Sequence, residues 1–178
     1  MSIDIPYFGD ALQTTVLCEA CGFRHADVLH TRQGDPTRHA LRVGGPEDLD
    51  ARVVRSASCT VRVPELGVVM EPGPRSDAFI SNAEGVLHRF RDIYGFLTRN
   101  ADTERARRRA TKSLETINRM IDGREPFTLV LEDPSGNSAI LHEAAEVRPL
   151  TEAEVRRLKT GVFTIEASRG GRRAPASP

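Results

Sequence analysis

Tryptophan is absent from the 178 residues, and aromatic side chains make up only 5% of them. Proteins that bind single-stranded nucleic acid by stacking its bases need more aromatic surface than two tyrosines and seven phenylalanines supply. No stretch approaches the roughly 20 apolar residues that a membrane-spanning helix requires. The N-terminal residues also lack the basic start and apolar run of a signal peptide. We therefore expect a cytoplasmic protein with no membrane partner.

Only three cysteines are present, Cys18, Cys21 and Cys59, which argues against a disulfide framework. Two residues separate Cys18 from Cys21, a spacing at which both thiolates can bind one tetrahedral zinc ion. A closed structural site needs further ligands, and three histidines could complete a mixed site: His25, His30 and His39. Two reduced thiols without metal and a redox pair stay open as alternatives, although the redox pair lacks the expected βαβ context.

Basic and acidic residues balance at 25 each, so a globally basic surface for nucleic acid is not indicated. The balance hides two charged blocks. Gly85 to Arg124 contains ten basic and five acidic residues, whereas Glu125 to Val155 contains one basic and seven acidic residues. These blocks could pair with each other or with a partner.

Short β-rich segments separated by glycine and proline turns dominate the chain outside its middle. Thr60–Val63 alternates polar and apolar residues, as a half-buried strand does. We expect Cys59, just before this strand, to be a small buried thiol, with a third metal ligand as the alternative. Such segments number roughly nine, which predicts a sandwich, jelly roll or barrel. The fold class is therefore α+β, mostly β.

The middle of the chain, residues 81–123, predicts an antiparallel helical hairpin. Ser81 and Glu84 have the spacing of a capping box, with Ser81 as N-cap. Apolar residues then recur at helical spacing in two sets: Ala83, Leu87, Phe90, Tyr94 and Leu97, followed by Ala106, Ala110, Leu114, Ile117 and Ile121. Gly123 is a natural C-terminal stop. The short connection makes the two helices antiparallel.

Asp133–Gly136 has proline at the second position and glycine at the fourth, which predicts a type I turn. We expect Asp133 to cap this turn through its own side chain. Further along, Thr151 and Glu154 have the spacing of another capping box and predict a short helix.

No nucleophile elbow, P-loop or glycine-rich dinucleotide motif is present, which favours a non-catalytic protein. His142 could face a barrel interior, and the first alternative is a small-ligand or metal-binding β-helix protein or enzyme of the cupin type. An RNA-associated protein is the second, and four arginines of the second helix would carry it: Arg105, Arg107, Arg108 and Arg109. These arginines fall all round the helix, which is typical of a solvated surface.

Five segments together resemble the ZPR-type zinc-finger domain family: Ile5–Gly9, Cys18–Phe23, Ser56–Leu66, Glu84–Gly85 and Pro126–Ser138. The last segment is the most specific, because its thirteen residues match the family in type and order. The resemblance covers about residues 3 to 158. A single module, as here, is similar to the archaeal form of the family.

The resemblance implies a jelly-roll-like double-stranded β-helix with an inserted helical hairpin and a four-cysteine zinc ribbon. Family members carry a first C-x-x-C pair ahead of the segment matching Ile5–Gly9, and this sequence lacks that pair. Only Cys18 and Cys21 match the zinc ligands, so the ribbon is partial. Three domains are expected: a partial ribbon at 1–35, the β-helix domain at 36–166 with the hairpin at 81–123, and a disordered tail at 167–178.

Eukaryotic members of the family carry two such modules and act with translation elongation factor 1-alpha as a dedicated folding chaperone. The resemblance implies a protein-binding module, a chaperone or partner of an elongation factor 1-alpha-type GTPase, with zinc as the implied cofactor. Nucleic acid is not expected as a direct partner. The predicted partner contacts are the hairpin face and the residues of one turn: Asp133, Ser135, Gly136, Asn137 and Ser138.

Overall fold

The computed structural model describes residues 2–5, 9–17, 19–21, 24–30, 34–73, 76 and 78–159. Within them lie eleven strands: β1 Ser2–Ile5, β2 Gly9–Leu17, β3 Arg24–His30, β4 Thr37–Val43, β5 Arg52–Arg55, β6 Thr60–Val63, β7 Val68–Met70, β8 Phe79–Asn82, β9 Phe127–Asp133, β10 Ala139–Leu141 and β11 Glu146–Pro149. Three α-helices accompany them: α1 Ala83–Arg99, α2 Glu104–Ile121 and α3 Glu152–Val155. Two short 3-10 helices span Pro46–Asp50 and Pro64–Leu66.

The strands form three sheets with antiparallel pairing throughout. The first sheet has the order β1-β2-β3, the second β10-β5-β8, and the third β11-β4-β9-β6-β7. The long β4–β9 ladder runs from Val43 opposite Phe127 to Thr37 opposite Asp133. This register places the end of β9 beside the start of β4.

Apolar side chains of the second and third sheets share one core with the base of the helical hairpin. The strand β6 shows how the alternating pattern builds it. Val61 and Val63 are fully buried, whereas Arg62 points outward and binds the Glu132 carboxylate of β9 at 2.7 Å. The predicted half-buried strand is therefore confirmed, and so is the mostly β, jelly-roll-like α+β fold.

The helical hairpin begins one residue later than the capping prediction places it. Ser81 is still paired with Val53 as part of β8, so it is not the N-cap. Asn82 takes that role, and its side-chain oxygen accepts a hydrogen bond from the Gly85 amide at 2.8 Å. At the far end of α2, Gly123 adopts a positive φ of 68° and ends the helix as predicted.

The base of the hairpin supplies its buried residues, and of the residues beyond it Tyr94 packs partly buried against the core. In α1 the buried residues end at Phe90, and in α2 they begin at Ala110. None of residues 91–109, which we call the hairpin tip, is buried. The predicted apolar stripe continues into the tip, where Tyr94 is half-buried and Leu97 is exposed.

Among the described residues, no helix has the length and apolar character needed to cross a membrane. The expected tail at 167–178 lies outside the described residues. The other two domain limits, at 1–35 and 36–166, stay predictions. Thr37 begins β4, which pairs with β9 and β11 in the third sheet.

Candidate functional site

The carboxylate of Asp133 is fully buried where β9 ends. Each of its two oxygens accepts three hydrogen bonds, so four serine hydroxyls and two backbone amides surround one negative charge. The donors lie 2.6 to 2.9 Å away: the hydroxyls of Ser56, Ser58, Ser135 and Ser138, and the amides of Ser135 and Asn137. Charge-assisted hydrogen bonds of this kind are the strong ones in proteins, and here they replace the water lost on burial.

These hydrogen bonds join two segments that are far apart in sequence. The loop between β5 and β6 supplies Ser56 and Ser58, and the turn after β9 supplies the other donors. The Ser56 amide also donates to the Ser138 hydroxyl at 2.9 Å, which closes the network. We call Asp133 and its donors the Asp133 turn. The capping of the turn by Asp133 is predictable from the sequence. The hydrogen bonds that Asp133 accepts from Ser56 and Ser58 are not.

The segment that leads into β4 rests on this turn. The Gly34 amide donates to the Ser135 carbonyl oxygen at 2.8 Å. Gly136 has a φ of +65°, and a Cβ atom built on it would overlap the carbonyl oxygen of Asp35. Only glycine allows both this backbone conformation and this close approach. The Asp133 turn therefore fixes the path of the chain that enters the jelly roll.

Burial alone would raise the pKa of Asp133, because it disfavours the charged form. The hydrogen bonds from Ser138, Ser135 and Ser56 outweigh burial and hold the pKa of Asp133 below its ordinary value. The carboxylate is therefore ionised at neutral pH. It acts as a fixed acceptor, which suits a structural role better than proton transfer.

The hairpin tip contrasts with this closed network. Three of its large apolar side chains are exposed: Ile93 at 46%, Phe96 at 58% and Leu97 at 46%. Leu97 also lines an open groove of about 650 Å³ between the tip and the 3-10 helix Pro64–Leu66. Leu66 and Gly67 form one side of this groove, which is within the size range of ligand-binding clefts.

The model of the ZPR1 jelly-roll domain matches residues 47–160, which is more than half of the chain. The chain belongs to the ZPR1 family. The matched range contains the Asp133 turn and the whole hairpin, so both are parts of a ZPR1 jelly roll in this protein. The resemblance seen in the sequence is confirmed.

Relatives in archaea and eukaryotes match beyond the jelly roll. An uncharacterized ZPR1-like protein of Methanocaldococcus jannaschii is 44% identical over 92% of this chain and 83% of its own length. Zinc finger protein ZPR1 of Bos taurus is 30% identical over 76% of this chain. A zinc finger chaperone of Schizosaccharomyces pombe is 28% identical over 76% of this chain. The chain spans about 30% of the length of the eukaryotic relatives it matches.

The turn that the sequence singled out as a partner contact has its two best hydrogen-bonding side chains turned inward. Asp133 is fully buried and Ser138 nearly so, and both bind within the network. Ser135, Gly136 and Asn137 are half-buried. As a partner contact the turn stays a prediction, and in this structure those three residues would make it rather than the carboxylate.

Two candidate zinc ligands are accounted for elsewhere. Cys59 is fully buried, and burial raises the pKa of its thiol to about 12, so the thiolate that zinc needs is disfavoured. Nδ1 of buried His39 faces the Ile140 amide at 3.4 Å and accepts its hydrogen bond. Burial also lowers the pKa of His39, an effect that the Asp133 carboxylate only partly offsets.

The described residues therefore do not supply a complete zinc site. They contain no group of three or more histidine, cysteine, aspartate or glutamate residues that could hold a metal ion. Cys21 is exposed in a short turn, whereas Cys18 lies outside the described residues. The position of Cys59 fits its interpretation as a buried thiol rather than a metal ligand.

His142 does not face the core. Its Nε2 lies 3.4 Å from a carboxylate oxygen of Asp48, and its Nδ1 accepts from the Ala144 amide at 3.2 Å. The core between the sheets is built from apolar side chains such as Val53, Leu129 and Ile140. The buried polar side chains of the described residues include Asp133, Ser56 and His39 but not His142, so an inward polar cluster containing His142 is not found there.

Proposed function

We propose that this ZPR1-family chain is a non-catalytic, protein-binding chaperone of an elongation factor 1-alpha-type GTPase. The observation that carries the proposal is the exposed apolar surface of the hairpin tip. Phe96 and Leu97 are exposed on α1, whose buried residues all lie between Ala83 and Phe90. Complete burial of a fully exposed phenylalanine side chain stabilises by about 1.5–3 kcal/mol, and Phe96, which is 58% exposed, can contribute roughly half of that to binding.

The name of the Schizosaccharomyces pombe relative, a zinc finger chaperone, supports this proposal. A chaperone must hold apolar groups of its client that are not yet packed, and an exposed apolar tip offers a matching surface. Ile93, Phe96 and Leu97 are exposed, so a client can contact them without disturbing the packed core.

Titration of the whole chain against purified elongation factor 1-alpha, once with GDP and once with GTP, tests the proposal. We expect nucleotide-sensitive binding with Kd at or below about 1 µM, which is roughly 8 kcal/mol. The Phe96→Ser variant should lose at least about tenfold of this affinity. Absence of binding by the folded wild-type chain contradicts the proposal.

We further propose Cys18 and Cys21 as the zinc ligands of the partial ribbon, since the family relatives are named zinc finger proteins. Zinc per chain should fall when both cysteines are changed to alanine. It should stay unchanged in Cys59→Ala, because that thiol is buried and protonated. Loss of zinc from Cys59→Ala alone would show that the ligand assignment is wrong.

A further inference from the structure

The groove beside the hairpin tip is lined by apolar and polar residues, with Arg109 as the one basic side chain among its described lining residues. Leu66, Tyr94, Leu97 and two alanines of α2, Ala106 and Ala110, line it. Its volume of about 650 Å³ can hold several side chains of a partner. The 3-10 helix forms the far wall, so the groove has two sides built by different elements.

Half of the tip's six basic side chains, and Lys112 just beyond it, have no carboxylate partner within the described part of the chain. Among the described residues, no carboxylate lies within 4.0 Å of four basic side chains of this region: Arg99, Arg105, Arg109 and Lys112. Arg109 itself lines the groove. Asp102 also lines it and offsets part of this charge. Glu104 is already bound by Arg107 at 3.6 Å and Arg108 at 3.1 Å.

The acidic block that follows the hairpin in sequence does not neutralise this charge. Glu125 binds Arg119, Glu132 binds Arg62, and Glu154 binds Arg148. Asp133 is buried in its own network. Of the two blocks seen in the sequence, the acidic one is therefore largely paired within the fold, whereas half of the ten basic side chains of the other have no carboxylate within 4.0 Å among the described residues.

We propose that this groove binds an acidic, apolar segment of a protein partner. Apolar side chains of the segment fill the space beside Leu97 and Ala106, and a carboxylate of the segment pairs with Arg109. The proposal rests on the proposed protein-binding function and names the chemistry that the site recognises. Charge complementarity selects the segment, and the lining residues Leu66, Leu97 and Ala106 suit apolar side chains of a peptide.

A synthetic peptide of about 16 residues with glutamate and leucine at helical spacing is the probe, measured by fluorescence anisotropy with the whole chain. A matched peptide with lysine in place of every glutamate is the first comparison. We expect the acidic peptide to bind at least about tenfold more tightly. Raising the salt from about 50 to about 300 mM should weaken its binding several-fold. Equal binding of both peptides overturns the charge argument.

Two pairs of variants locate the binding site. Leu97 and Ile93 are both 46% exposed, but only Leu97 lines the groove. Leu97→Ser should weaken peptide binding at least about tenfold, and Ile93→Ser less than about twofold. Arg109→Glu should weaken it more than Arg107→Glu, which changes the charge equally at a position already paired with Glu104. Equal losses within either pair show that the groove is not the site.

The outcomes separate this inference from the proposed function. If elongation factor 1-alpha binds but the acidic peptide does not, the groove chemistry is wrong and the proposed function stands. If the peptide binds at the groove and elongation factor 1-alpha does not, the inference stands and the named partner is wrong. Tighter binding of a single-stranded RNA of similar length, lost in Arg109→Glu, overturns the inference in favour of nucleic acid.

Discussion

The Asp133 turn and the hairpin tip differ in where their polar and apolar groups find partners. At the turn, one buried carboxylate receives six hydrogen bonds from its own chain. At the tip, Phe96 is 58% exposed and Arg109 has no carboxylate partner among the described residues. A region whose polar groups are hydrogen-bonded within the chain stabilises the fold. A region with exposed apolar side chains and unpaired charges is available to a partner. The difference assigns stability to the turn and binding to the tip.

Within the Asp133 turn, the largest loss of stability should come from Asp133→Asn. The amide removes the charge that the surrounding hydroxyls and amides are arranged to bind, and it presents hydrogens to donors. We expect the free energy of unfolding to fall by about 3 kcal/mol or more, measured by urea denaturation. Asp102→Asn at the tip makes the same chemical change on an exposed residue and should alter it by less than about 0.5 kcal/mol. Similar losses of stability in both variants would show that the turn does not stabilise the fold more than the tip does.

Gly136→Ala should give the next largest loss of stability. Gly136 and Gly67 have nearly the same φ, 65° and 63°. Because this left-handed conformation is unfavourable for a residue with a Cβ, alanine at either position should lower the free energy of unfolding by about 1 kcal/mol. A Cβ on Gly67 meets nothing within 4 Å, whereas one on Gly136 overlaps the Asp35 carbonyl. Gly136→Ala should therefore cost at least about 1 kcal/mol more than Gly67→Ala. Equal costs would show that the entering segment is not held against the turn.

The pH dependence of stability should report the same network. The folded pKa of Asp133 lies below its unfolded value of 3.8, so its contribution is complete above that value. As the pH falls below 3.8, the unfolded chain takes up the proton first and this stability is lost through the lower folded pKa. Ser138→Ala removes the hydrogen bond that lowers the pKa of Asp133 most, so its free energy of unfolding should change less over this acid range. The pKa of Glu154 is also lowered, to about 2. Glu154 is present in both the wild type and Ser138→Ala, so it does not contribute to the difference between them. An identical acid dependence in the two proteins would contradict the assignment.

How far the sequence predicted this architecture can be judged from individual residues. The capping box of Thr151 and Glu154 is present as predicted, because both partners are local. The first helix begins at Ala83 with Asn82 as N-cap, because the pairing of Ser81 in β8 overrides its local preference. The local cap by Asp133 was predictable, since turn chemistry needs only neighbouring residues.

The remainder depends on contacts between distant parts of the chain. Ser56 and Ser58 reach Asp133 only because β6 pairs with β9, and no local pattern contains that register. The helical period also predicted Leu97 on the packed face of α1. Periodicity identifies a face but not the point at which the sheets stop covering it, so the exposed tip became apparent only in the structure.

The smallest expected effect on stability belongs to Phe96→Ser. Phe96 is 58% exposed and lies beyond the packed base, so shortening its side chain removes few packing contacts. The free energy of unfolding should therefore change by less than about 0.5 kcal/mol. Phe90→Ser, one and a half turns earlier in the same helix, removes a side chain that is 2% exposed and should cost about 3–5 kcal/mol. Urea denaturation of the two variants measures where packing ends along α1. A loss above about 1 kcal/mol for Phe96→Ser would mean that the tip packs within the monomer. The binding surface would then have to lie elsewhere.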